Sequence, residues 1–178
     1  ANDGKTITRF NDLPGTVGRQ VFSDVWLSGD SLADNTGQVY SGQGLSFNYD
    51  MVSGSLIASA DKKNLTAVDR NTISAFTLVE NGSHLTFIQI PAIEPRQYFL
   101  LLASTSSGLH LYKKCSAEFK KADFKSDGIS QQGSREDRFV DKSSYYLFHS
   151  STGHHNLVSM KSKNIQVLPL LHPFRDKV

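Results

Sequence analysis

The chain has 178 residues, enough for one sizeable core and short for two. A formal net charge of +2 lacks the basic excess of a dedicated nucleic-acid binder, and no apolar run approaches the roughly 20 residues of a membrane-spanning helix. A single cysteine, Cys115, excludes an internal disulfide and fits either a cytoplasm or a cell envelope protein that does without disulfides.

The composition suits many short strands joined by turns, because Gly, Ser, Thr and Asn are plentiful and the apolar fraction is modest. The chain begins at Ala1 with a polar stretch, residues 1–17, read as a flexible segment. It is either a processed end left by a signal peptide or an arbitrary boundary. Residues 18–178 are read as one β-rich domain. Asp34 to Gly37 ("DNTG") is the first turn signal, and it predicts Val25–Leu27 antiparallel to Gln38–Tyr40. In "LSFNYD", Leu45, Phe47 and Tyr49 alternate with Ser46, Asn48 and Asp50, the period of a half-buried strand. Met51 to Gly54 turns the chain into a partner strand over Ser55–Ala60.

The clearest hairpin surrounds Asn81-Gly82, which joins Ile73–Val79 to Leu85–Ile90. Asn-Gly favours the type I′ turn, since both central residues need positive φ. Asn64 and Asn81 each begin an Asn-x-Ser/Thr triplet, and for Asn81 the turn is the better explanation. "IPAIEPR" carries two prolines and reads as a crossover or corner. Tyr98 to Lys114 is a third hairpin turning near Ser106 to Gly108. Residues 117–138 are charged and weakly periodic, and they read as a long polar connection with a turn of helix near Glu118 to Phe124. "SSYYLFHSSTGHHNLVSM" gives the final hairpin, turning at Ser151 to Gly153, and a short C-terminal helix is expected near Ser162 to Leu168, before Pro169. The expected fold is all-β: a single antiparallel meander of hairpins closing into a barrel or sandwich, with at most that short helix.

The order of these segments resembles a known family. "GRQVFSDVW" (Gly18 to Trp26) leads into "GQVY" at Gly37, "LSFNYD" at Leu45 and "ISAFTL" at Ile73, and later comes "SSYYLFHSSTGHHNLVSMKSKNIQVL". This is similar to a family of exported, functionally uncharacterised β-rich proteins of Gram-negative bacteria, over residues 18 to 168. Gln20-Val21 stands where that family has Pro-Tyr. The resemblance implies an exported, periplasmic or envelope-associated β-protein and carries over no catalytic residue.

Four features of the sequence bear on chemistry. His149, His154 and His155 surround one turn, but neighbours in a strand face opposite ways and no Cys, Asp or Glu completes a metal set. Cys115 follows Lys113 and Lys114, cations that lower a thiol pKa, yet nothing identifies a base, and an inert thiol is the expectation. The basic segment 113–125 reads either as a site for anionic headgroups or acidic polysaccharide, or as a solvated loop with Phe119 and Phe124 tucked into the core. Trp26 lacks the Gly-x-Trp of the lipocalin type, with Asp24-Val25 before it, and reads as a core-closing aromatic. No Gly-x-Ser-x-Gly elbow or phosphate loop occurs.

No catalytic, cofactor-binding or metal-binding residue is therefore assigned, and no cofactor is expected. The functional expectation is a non-catalytic exported binding or assembly protein of the bacterial cell envelope. Its partner would be an unknown envelope protein or a small apolar ligand, with no nucleic acid and no transmembrane segment. The alternatives are a small lipocalin-like barrel carrying an apolar ligand, and a hydrolase without a recognisable motif.

Overall fold

A computed structural model describes residues 16–126 and 131–158, together with the backbone of Thr6–Ile7. The expected helix near Ser162 to Leu168 and most of segment 1–17 lie outside the described residues. The strands, in chain order, are β1 (Thr6–Ile7), β2 (Leu27–Asp34), β3 (Val39–Ser41), β4 (Ser46–Asp50), β5 (Ser55–Ser59), β6 (Leu65–Ala67), β7 (Ile73–Glu80) and β8 (Ser83–Gln89). They continue with β9 (Tyr98–Ser104), β10 (Leu109–Lys114), β11 (Ala117–Lys120), β12 (Lys125–Ser126), β13 (Gln131–Gln132), β14 (Arg138–Asp141), β15 (Ser144–His149) and β16 (His155–Val158). The all-β expectation holds: the described residues contain no helix, and strand pairs within the sheets are antiparallel.

The hairpins with strong turn signals form as read. Asn81 and Gly82 both have positive φ, 51° and 80°, and β7 pairs with β8 from Ala75↔Ile88 to Glu80↔Ser83. Thr77 and Thr86 face each other there and share a 3.1 Å hydroxyl hydrogen bond. The Pro-containing segment after β8 is a corner, in which Ile93 N–H and Glu94 N–H donate to the Ile90 carbonyl and send the chain back antiparallel as β9.

The larger topology differs from a simple meander. Twelve strands form one sheet in the order β1-β6-β5-β4-β2-β7-β8-β9-β10-β15-β16, with β3 alongside β2. Strand β2 sits between β4 and β7, so the chain runs out through β5 and β6 and returns to the far side of β2. Among the described residues no strand pair closes this sheet into a barrel.

The sheet nevertheless curls on itself. Strands β4 and β8 are three places apart, about 14 Å in a flat sheet at ~4.8 Å per strand. Yet the Tyr49 and Phe87 ring centroids are 5.1 Å apart. Phe76 stacks on Phe87 at 4.8 Å and Tyr98 meets Phe76 edge-on at 4.9 Å. These four rings are fully buried and fill the hollow of the roll, with Leu27, Phe47, Leu56, Leu78 and Leu100 around them. Beyond β9 the sheet packs smaller clusters: Ala103, Leu111, Leu147 and Val158 in one, and Ile90, Phe99 and Tyr112 in another.

Four expectations are corrected. Val25–Leu27 does not pair with Gln38–Tyr40. The Asp34–Gly37 turn is in place, but β2 begins at Leu27 and β3 pairs with Ser31–Ala33. Residues 23–25 are held elsewhere: Asn48 Oδ1 accepts from Ser23 N–H at 3.2 Å, and Asn48 Nδ2 donates to the Ser23 carbonyl at 2.7 Å and the Val25 carbonyl at 3.3 Å. That covering also explains the second correction. Asn48 and Asp50 are buried although alternation put them on the solvent side, because their polar atoms are satisfied by the crossing chain and the following turn. Third, Trp26 is half-buried ahead of β2, and Leu27 is the residue that enters the core.

Last, no helical turn forms near Glu118 to Phe124. Phe119 finds Phe139 directly opposite at 5.2 Å, and this distant pairing draws Ala117–Lys120 into a ribbon with β14. The ribbon is tied to the main sheet by residues 17–22. Val17 N–H donates to the Asp137 carbonyl, Phe139 N–H donates to the Val17 carbonyl, and Phe22 N–H donates to the Tyr49 carbonyl.

Candidate functional site

The most polar part of the interior lies beside the four rings. Gln97 Nε2 donates to Tyr49 OH at 2.9 Å and to the Tyr98 carbonyl at 3.1 Å. Tyr98 OH donates to the Ile73 carbonyl at 2.7 Å, and Gln89 Nε2 donates to the Arg70 and Ile73 carbonyls. Burial pushes Tyr49 well above the ordinary tyrosine range and Tyr98 up to about 12. Gln89, Gln97 and Tyr98 each donate to a protein acceptor, so this layer fastens β4, β7 and β9 together.

Cys115 adjoins the same core at 1 % exposure. Burial pushes its thiol up to about 11, and the opposing pull of Lys113 is the smaller effect. A neutral, sealed thiol is not a nucleophile.

The three histidines of the last hairpin stay separate. His149 and His154 are linked through backbone, His149 N–H to the His154 carbonyl at 2.9 Å, while His155 lies opposite Phe148 on β16. Ser151 Oγ and His149 Nδ1 are 3.0 Å apart on the exposed turn, and none of the described carboxylates bonds that imidazole. Elsewhere Ser23 Oγ donates to Glu80 Oε1 at 2.5 Å, and His84 pairs with Asp30 at 3.3 Å. These contacts do not combine into a nucleophile, base and orienting acid. Among the described residues no cluster of three His, Cys, Asp or Glu has metal-holding geometry.

The basic segment 113–125 is partly neutralised from within. Lys114 Nζ reaches Glu94 Oε2 at 2.6 Å, and Lys120 and Lys142 both approach Glu118, at 3.8 and 3.3 Å. The two phenylalanines are not in the core as expected: Phe119 is half-buried on the ribbon, and Phe124 is exposed beneath the Arg135 guanidinium at 4.4 Å.

Register adds what the sequence reading missed. Lys120 stands directly opposite Arg138, so two cations share one face of the β11–β14 ribbon. A second surface lies along β3, where Val39 and Tyr40 are 62 % and 44 % exposed, with Leu45 close behind at 43 %. Next to it, Leu45, Ala58, Ala60 and Thr66 line a cleft of about 480 Å³, rimmed by Ser59, Asp61 and Asn64. Asp61 is held well below the usual carboxylate range by backbone N–H donors, first that of Asn64 and then that of Lys63.

No family profile, no curated protein and no solved structure matches the chain. No described helix is long and apolar enough to cross a membrane.

Proposed function

We propose that this chain is a non-catalytic binding or assembly protein of the bacterial cell envelope. The observation that carries the reading is the filled interior. Tyr49, Phe76, Phe87 and Tyr98 occupy the hollow where a carrier would hold its ligand, with centroids 4.8 to 6.4 Å apart. The apolar side chains left exposed instead sit at strand edges and loops: Val39 and Tyr40 on β3, Leu157 on β16. The envelope location rests on the order of motifs between Gly18 and Leu168.

The carrier reading has one observation in its favour, the cleft beside Leu45. Its volume of about 480 Å³ falls in the range of small-molecule sites, ~300–1,000 Å³. The aromatic core beneath it is closed, so a ligand there would lie on the surface of the roll.

Native mass spectrometry of the protein gently purified from its own envelope fraction tests the choice. A partner chain or a multiple of the chain mass is expected. A persistent small-molecule mass, lost on denaturation, would overturn the assembly reading in favour of the carrier.

A further inference from the structure

Residues 20–61 contain five aspartates, at positions 24, 30, 34, 50 and 61, and no lysine or arginine. With the whole chain at +2, the remainder therefore carries a formal excess of seven positive charges. Two of the five, Asp30 and Asp34, lie on β2, whereas Asp50 is buried; β3, the other strand of that hairpin, pairs only with β2 among the described residues. Edge strands are commonly blunted by lysine, proline or inward-pointing charge. The β3 sequence, Val39-Tyr40-Ser41, has none of these, and all three residues are exposed.

The ribbon presents the complementary surface. Like charges directly opposite each other destabilise a strand pair. Lys120 and Arg138 are so placed, Lys142 flanks them, and Glu118 is the single carboxylate that Lys120 and Lys142 share. An acidic surface laid over this face would relieve the opposition between the two cations.

We propose that the occupant is a second copy of this chain: the acidic β2–β3 hairpin of one molecule docks on the Lys120–Arg138 face of another. The hairpin supplies exposed Asp30, Val39 and Tyr40, and the ribbon supplies the two opposed and exposed cations. The two patches are different surfaces, so the contact is heterologous, and it can propagate into rings or chains or be satisfied reciprocally in a dimer. This inference rests on the assembly reading above and gives that reading a partner.

The test is sedimentation velocity of the full chain at low and high salt, with two variants whose folding is checked by circular dichroism. Val39→Lys blunts the edge, and the double variant Lys120→Glu/Arg138→Glu reverses the ribbon. The wild type is expected to self-associate, at least tenfold more weakly in high salt. Each variant alone is expected to be monomeric. An equimolar mixture should recover a 1:1 dimer, since each partner retains one intact surface.

A wild type that stays monomeric at every concentration overturns the self-contact. A foreign chain retained in the native mass spectrum would then leave the assembly reading standing. Self-association unaffected by both variants, or variants that do not complement each other, overturns the pairing of these two patches. A monomeric wild type that co-sediments with anionic phospholipid vesicles, but not with neutral ones, overturns it in favour of a membrane surface.

Discussion

Gln97 and Tyr49 lie 48 positions apart and meet through one buried hydrogen bond, Gln97 Nε2 to Tyr49 OH at 2.9 Å. The bond joins the start of β9 to the far side of the roll. Its partners are unequal in importance. Gln97 Nε2 keeps a second acceptor in the Tyr98 carbonyl, while the Tyr49 ring touches Phe76, Phe87 and Tyr98. Tyr49→Phe is therefore expected to cost only ~1 kcal/mol, the net worth of one hydrogen bond. Phe87→Ala is expected to cost ~3–5 kcal/mol, because it opens a cavity among closely packed rings. Urea denaturation of both variants checks the ordering; equal costs would mean that the polar layer, not the rings, holds the roll.

Gly82 has φ of 80°, and a Cβ placed there would meet nothing within 4 Å. Any penalty for Gly82→Val must therefore come from the backbone, since a β-branched residue resists positive φ. A loss of ~1–2 kcal/mol is expected, seen as a lowered denaturation midpoint. An unchanged midpoint would rule out the type I′ assignment.

A different cause operates where β2 passes the link between β3 and β4. A Cβ at Gly29 would lie 2.5 Å from the Phe47 ring, and one at Gly42 would lie 2.7 Å from the Gly29 carbonyl oxygen. Gly42→Ala presses on backbone, which cannot swing aside, whereas Gly29→Ala presses on a ring that is itself fully enclosed. Both are expected to destabilise by more than ~2 kcal/mol, and thermal unfolding of each variant measures it.

Alkaline pH probes the sealed thiol. Burial raises Cys115 from its usual 9.0 to about 11. In the window between, the unfolded chain has released its proton and the folded chain has not. The stabilisation is complete below pH 9 and is lost as pH rises through 11, amounting to ~2–3 kcal/mol. Tyr98, pushed by burial to about 12, adds in the same direction above pH 10. Cys115→Ala is expected to flatten the slope of stability against pH between 9 and 11. An unaltered slope would mean that the thiol is not protected.

What the sequence made legible was local. The Asn81-Gly82 turn, the turn ending at Gly108 and the turn at Ser151 to Gly153 each declare themselves within a few residues, and their strands follow. Two things required distant partners. The start of β2 was misplaced because the fate of Val25 depends on Asn48, which pins residues 23–25 across the outer face of β4. Residues 117–138 read as a polar connection with a turn of helix near Glu118 to Phe124, because the partner of Ala117–Lys120, Arg138–Asp141, lies beyond a polar excursion. For the same reason the opposed cations Lys120 and Arg138 were hidden inside a segment legible only as basic. The exposed β3 edge was readable as a strand, but not as an edge, since that depends on which strand lies beside it.

The curl of the sheet has a mechanical consequence. Across the hollow, β4 meets β8 and the start of β9 through rings and the Gln97–Tyr49 hydrogen bond, and among the described residues no ladder of backbone hydrogen bonds crosses this seam. Parting of the seam, like the opening of a cuff, would break none of the described strand pairs. In hydrogen exchange, such an opening would leave strand amides protected while side chains of the hollow become reachable by solvent. A seam that opened on heating would expose four aromatic rings at once, surface that favours adhesion between molecules before any strand pairing is lost.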